Sequence, residues 1–273
     1  MYYSLINSMS KGGVSYDADA QAFITAASIT DLTQKSAINT LVTDLKGYGI
    51  WTKMKAVYPF VGGTASAHKI NLKDPRDLDA AFRLQFLNGW THSATGAIPN
   101  GTDAYAKTFL IPSTAMSASD FAHLSYYSNS NTQKAFEYIM GSADPLKSLG
   151  LIGRRNTNLQ YFFSTNTGAT YEGANNTSAS TGDGFLLGTQ LATNIKLFRS
   201  NVLQASNTNI SLGNAQSPKQ VYIGCLNDND TAAIGFTDKI CSFSSIGNGL
   251  TDTEASNFYT AVQTFNTTLS RNI

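Results

Sequence analysis

Charge is scarce in this sequence: Lys, Arg, Asp and Glu make up 14% of the 273 residues, and the formal net charge is +1. There is no basic field to gather a polyanion and no acidic block to solvate a tail, so nucleic acid is not expected as a partner. Cysteine is nearly absent. Cys225 and Cys241 cannot build a disulfide framework, and each stands in an apolar setting ("YIGCL", "KICSF") that reads as a small, unpaired, buried thiol. Long hydrophobic runs are missing too. No uncharged apolar stretch reaches membrane-spanning length, so no membrane partner is expected. The start, "MYYSLINSMSKGG", lacks the basic lead and continuous apolar centre of a signal peptide, which points to synthesis in a cytoplasm. Asn-x-Ser/Thr triplets such as Asn100-Gly-Thr102 and Asn266-Thr-Thr268 then follow from composition alone.

What is present favours strands. With so few charges the surface must be covered by Ser, Thr, Asn, Gln and Gly, whose side chains compete for backbone hydrogen bonds and disfavour helices. The length fits one large all-β domain with an extension or two small domains, and the single large domain is the preferred reading. Residues 17–56 are the helical part. "DADAQAFITAAS" forms a short helix capped by Asp17 or Asp19, and Ile38, Leu41, Val42 and Leu45 share one face of a second that stops at Gly47 or Gly49. Beyond them "TFLIPS", "HLSYYS", "FEYIMG", "LQYFFS", "GFLLGTQ", "IKLFRS" and "QVYIGCL" each read as a strand between turn formers, a pattern of sandwiches and jelly rolls. The stretch 166–184 reads as a long exposed loop. Near the end, Thr251-x-x-Glu254 is a capping box, and Phe258, Tyr259, Val262, Phe265 and Leu269 make one apolar helix face that should lie against the sandwich.

The chemistry-bearing residues form no recognisable catalytic set. In "YPFVGGTASAHKINLKDPRDLDAAFRL", Lys69 follows His68 and precedes Ile70, so both defining positions of a phosphate loop fail, and Gly62 and Gly63 read as a turn. Asp74, Asp77 and Asp79 stand among Arg76 and Arg83 and read as ion pairs and caps. His68, His92 and His123 lie far apart and outside any zinc spacing. "NDNDT", with Asp228 and Asp230 at alternate positions, reads as a turn before a calcium loop. Glutamate is rare: Glu137, Glu172 and Glu254 are scattered, and Glu137 has no acidic neighbour two or four residues away to complete a glycosidase pair. Many serines occur, but no Gly-x-Ser-x-Gly. Aromatics make up 11% and read as core ahead of a ligand platform, less steeply for the pair Tyr126 and Tyr127 than for the Phe residues. No catalytic, cofactor-binding or metal-ligating residue is identified.

Two stretches carry a resemblance. Residues 37–96, with "YPFVGG", "HKINLKDPRD" and "GWTHS", resemble a segment of virion proteins of tailed bacteriophages. "HLSYYSNSN", "IKLFRSN", "VYIGCLN" and "SIGNGLTDTEASNFYTAVQTF" are similar to the later strands and closing helix of the concanavalin A-like, or laminin-G-like, jelly roll. The resemblance implies a mainly β jelly-roll sandwich with an N-terminal helical segment and a C-terminal helix. The expected organisation is a docking segment 1–13, a helical lead 14–56, and a sandwich 57–273 closed by a helix at 251–270. It further implies a non-enzymatic component of a bacteriophage particle, at the capsid, portal-tail region or a fibre. Such a protein would be made in the bacterial host cytoplasm and would contact other virion proteins and copies of itself. The alternative is a carbohydrate-binding adhesin that recognises host-surface glycan, and a glycan-degrading enzyme using Glu137 is a distant third. For residues 1–13, Tyr2, Tyr3, Leu5 and Ile6 before a double glycine suggest either a strap onto a neighbouring protein or a segment lying across the chain's own helices.

Overall fold

The computed structural model describes residues 15–116, 121–132, 134–152, 161–166, 173–177, 181–208, 210 and 216–272. The expected docking segment, 1–13, lies outside the described residues. Helix α1 (Ala18–Ala26) is capped by Asp17, and α2 (Leu32–Gly47) by Asp31, whose carboxylate accepts from the Gln34 amide. Ile38, Leu41, Val42 and Leu45 are all fully buried on α2, and Gly49 takes the left-handed conformation (φ 73°) that turns the chain into β1 (Met54–Tyr58). The one-turn helix α3 (Ala65–His68) follows the Gly62-Gly63 turn.

Short strands come next: β2 (Gln85–Leu87), β3 (Trp90–Ser93), β4 (Gly96–Pro99) and β5 (Tyr105–Lys107), then the single turn α4 (Pro112–Ala115). The body of the sandwich comprises β6 (Phe121–Ser128), β7 (Met140–Ala143), β8 (Ser148–Ile152), β9 (Tyr161–Asn166), β10 (Gly173–Asn176), β11 (Gly184–Leu191), β12 (Asn194–Arg199) and β13 (Val202–Asn207). It is completed by β14 (Tyr222–Ile223), β15 (Leu226–Asp228), β16 (Ala232–Ile234) and β17 (Phe243–Gly247), and closed by α5 (Asp252–Thr268).

The strands form a six-stranded sheet, β1-β17-β6-β11-β12-β13, and a nine-stranded sheet, β10-β9-β8-β7-β14-β5-β2, in which β15 runs beside β7 and β16 beside β15. The β3–β4 hairpin stands apart. The six-stranded sheet is the middle of three layers. On one side Tyr127, Phe185, Leu187 and Phe243 pack with Phe258, Val262 and Phe265 of α5 and with the apolar face of α2. On the other, Leu124, Tyr126, Leu186, Leu197 and Ile246 pack with Met140, Leu149, Leu151, Phe163 and Ile223 of the nine-stranded sheet. This explains why apolar residues stand at adjacent positions in β6, at Tyr126 and Tyr127, and in β11, at Phe185, Leu186 and Leu187: alternate side chains point to opposite faces, and here both faces are buried. At Gly188 the sheets approach closely, since a Cβ there would stand 2.1 Å from the Phe163 ring. The structure is thus a mainly β, jelly-roll-like sandwich with its C-terminal helix laid against it. Thr251 and Glu254 satisfy each other's amides in the expected capping box.

Several sequence expectations need correction. "TFLIPS" is not a strand: Phe109 has φ 57°, which breaks a ladder, and Pro112 opens α4. In "FEYIMG" only Met140 and Gly141 belong to β7, because the Tyr138 amide bonds to the Gly235 carbonyl of another segment. "QVYIGCL" is cut into β14 and β15 at Gly224, whose φ is 96°. The stretch 166–184 is not one long loop, since Gly173–Asn176 form β10 against β9. Tyr126 and Tyr127, by contrast, are each only 1% exposed and are core residues, as the sequence favours over a ligand platform.

Candidate functional site

The outward face of the nine-stranded sheet holds a shallow floor of small side chains. Strand pairing aligns Gly141 with Gly150 and Gly150 with Ser164, and in the adjacent row Ala143 with Ser148. Because strand side chains alternate, these residues share the face opposite Met140, Leu149, Leu151 and Phe163, which point into the core. Larger groups wall the floor. The Tyr138 ring is wedged between Gly150 and Gly235, where added Cβ atoms would come within 3.3 and 3.0 Å of it. Leu226 lies across Gly141, and the Asp144-Pro145 turn closes one end. The depression has a volume of about 170 Å³ and is lined by Tyr138, Ala143, Asp144, Pro145, Ser148, Ser164 and Leu226.

Its chemistry is polar without being cationic. Ser148 Oγ is buried and has no hydrogen-bond partner among the described residues, and Ser164 is only 1% exposed. Asp144 Oδ1 accepts from the Leu146 and Lys147 amides at 2.9 and 2.6 Å, which holds the turn rigid. Outside the lining, Phe136 is 48% exposed and meets Tyr138 edge to face, with ring centroids 5.6 Å apart. An aromatic wall, buried hydroxyls and a fixed carboxylate can stack on a polyol's apolar face and bond to its hydroxyls. The only local signal in the sequence is small residues at alternate positions, Gly141/Ala143 and Ser148/Gly150, and it becomes a site only once the strands pair in this register.

The sequence candidates lie elsewhere. Asp77 bridges Lys69 and Arg83 at 2.5 and 2.9 Å, Asp79 holds Arg83 at 2.8 Å, and Arg76 holds Asp74 at 2.5 Å, as ion pairing predicts. These groups border a wider depression of about 430 Å³ floored by Phe86, in which the cations are already paired. A third depression, of about 340 Å³, lies between β11–β12 and the start of α5, where Lys196 pairs with Asp252 and no lining residue is aromatic. "NDNDT" makes the β15–β16 turn, with Asn229 and Asp230 at φ 56° and 59° and the Asp230 amide bonded to Asn227 Oδ1. Among the described residues no group of three or more His, Cys, Asp or Glu side chains could hold a metal ion.

Two histidines 24 residues apart in the sequence meet in space. His68 and His92 place their Nδ1 atoms 2.9 Å apart, beside Phe60, Phe86 and Trp90. Burial holds the His68 imidazole down at about 3. His123 is fully buried between the Asn248 carbonyl and Ser245 Oγ, and burial lowers it to about 4. Of the glutamates, Glu254 caps α5 and pairs with Lys53, Glu172 lies outside the described residues, and Glu137 is fully buried against Lys239 and Thr237.

No family model matches the chain, and no curated protein matches it. Solved structures do share its fold. Domain 4 of AbnA, a GH43 extracellular arabinanase from Geobacillus stearothermophilus solved in complex with arabinotriose, matches with a TM-score of 0.52 at 14% identity, over 76% of this chain and 98% of that one. The binding domain of botulinum neurotoxin DC in complex with SialylT matches with a TM-score of 0.53 at 10% identity, over 78% of this chain and 52% of that one. The receptor binding domain of botulinum neurotoxin D gives 0.53 at 11% identity, over 77% and 53%. This chain thus spans the whole arabinanase domain but about half of each toxin domain, and at these identities the likeness is one of fold.

Proposed function

We propose that this chain is a glycan-recognition sandwich that works by contact rather than turnover, with its ligand seated in the depression over β7, β8 and β9. The observation that carries the reading is the lining itself: the Tyr138 ring, the Ser148 and Ser164 hydroxyls and the Asp144 carboxylate, gathered over a floor of small side chains. A domain of the same fold solved with arabinotriose supports it by analogy of fold. The likeness of residues 37–96 to virion proteins of tailed bacteriophages supports carriage on a phage particle, with host-surface glycan as the target. Under this reading the protein is made in the bacterial host cytoplasm and sits on the virion beside other virion proteins and copies of itself. A depression this small gives weak single contacts, and many copies on one particle would raise the avidity. The test is a glycan array probed with the chain displayed multivalently, alongside the Tyr138→Ala variant. Binding to a defined glycan that Tyr138→Ala abolishes supports the reading, and a blank array overturns it.

A second reading, a particle component acting only through protein contacts, is favoured by the same resemblance at 37–96. Mass spectrometry of purified particles tests carriage, and absence of the chain from particles overturns it. Presence on particles together with a blank array selects this second reading.

A further inference from the structure

Granted that the depression takes a sugar, we infer that it takes one neutral sugar residue, at a chain end or branch, and discriminates against uronic and sialic acids. Size sets the first limit. At about 170 Å³ the depression is smaller than the roughly 300–1,000 Å³ of sites that engulf drug-sized ligands. Tyr138 and Leu226 stand over the glycines on either side, and the Asp144-Pro145 turn closes an end, so a chain cannot run through.

Charge sets the second limit. None of the seven lining residues is cationic, and the one carboxylate among them belongs to Asp144. Lys147 of the same turn contributes its backbone amide to Asp144 and is not part of the lining. A sugar carboxylate would give up its water to face another carboxylate with no cation among the lining residues, an arrangement that selects strongly against it. Lys69 and Arg83, two cations that could welcome an acid, border a different depression and are held by Asp77 and Asp79.

Hydrogen bonding supplies the positive selection. Ser148 Oγ is buried without a partner among the described residues, and a buried hydroxyl left unmet is a standing cost that a ligand group can remove. A serine hydroxyl both donates and accepts, as does each hydroxyl of a neutral sugar, so the two match without a change of protonation.

Titration of the full chain, followed by saturation-transfer NMR, with glucose, galactose and arabinose against glucuronate, galacturonate and N-acetylneuraminate tests this. At least one neutral sugar should bind with millimolar Kd, with the acids about tenfold or more weaker. Asp144→Asn keeps an oxygen for the turn amides and should narrow that gap. Ser148→Val, which fills the floor, should abolish binding while the thermal transition stays cooperative. If the acids bind as well as the neutral sugars and Ser148→Val abolishes both, the ligand class is overturned and the site stands. If neutral binding survives both Ser148→Val and Tyr138→Ala, or no sugar binds, the site reading itself is overturned.

Discussion

Glu137 and Lys239 form an ion pair inside the protein, Oε2 to Nζ at 3.7 Å, with side chains 0% and 1% exposed. Thr237 donates its hydroxyl to the carboxylate, and the ammonium donates to the Thr132 carbonyl and hydroxyl, so the pair ties the stretch 132–137 to the stretch 237–239. Burial pushes the Glu137 carboxyl up, opposed by the Lys239 charge. Removing one partner strands the other. Lys239→Met should therefore cost about 3–5 kcal/mol of unfolding free energy, and the double variant Glu137→Gln/Lys239→Met should recover much of it. Urea denaturation of the three proteins measures the difference.

Gly188 faces Phe163 across the sandwich, and a Cβ at Gly188 would overlap that ring, at 2.1 Å. Gly188→Ala should destabilise by about 1–3 kcal/mol or more, because the two sheets cannot separate locally. Adding Phe163→Leu should return part of the loss, which thermal melts of single and double variants would reveal.

Acid should weaken the fold through its buried histidines. In the native state His68 and His123 protonate only near 3 and 4, against 6.5 for an unfolded chain, so between those values the unfolded state binds more protons. Their contribution is complete above 6.5 and is lost as the pH falls toward the native values, at up to about 1.4 kcal/mol per pH unit for each ring. Glu137, whose native carboxyl is raised, acts in the opposite sense. The melting temperature should fall between pH 7 and pH 5, and His123→Gln should flatten that slope.

Arg271 is 3% exposed and donates to the Phe60 and Pro59 carbonyls at 3.0 and 3.2 Å, pinning the segment after α5 to the exit of β1. Arg271→Met should cost about 1.5–3 kcal/mol, the range for hydrogen bonds to charged groups. Hydrogen exchange should show the loss first in the last turn of α5 and at Gly62.

Cys225 and Cys241 are free, fully buried, and raised by burial well above an ordinary thiol. Both should resist thiol reagents in the native protein and react together on unfolding. Reaction of either at neutral pH without denaturant would place that cysteine outside the core.

The helices were the most legible part of the chain. Asp17, the Ile38/Leu41/Val42/Leu45 face and the Thr251–Glu254 box are local signals, acting within a few residues of where they are written. Strands β6, β11 and β12 were legible as apolar runs, though not which face met which layer. Where local reading failed, a distant segment had intervened: the Gly235 carbonyl took the Tyr138 amide, and the positive φ of Phe109 ended an apolar stretch that composition alone would extend.

The sequence by itself determined the mainly β class, the capped helices and the ion-paired turn at Asp74–Arg83, because each depends on neighbours along the chain. Only the tertiary structure decided that Ser148, Gly150 and Ser164 share a floor, that Tyr138 walls it, and that His68 touches His92. A strand's period of two says which residues share its face but not which strand lies beside it or in what register. That choice is made by the packing of Phe163 on Gly188, of Leu226 on Gly141 and of α5 on the six-stranded sheet, contacts between residues far apart in the chain.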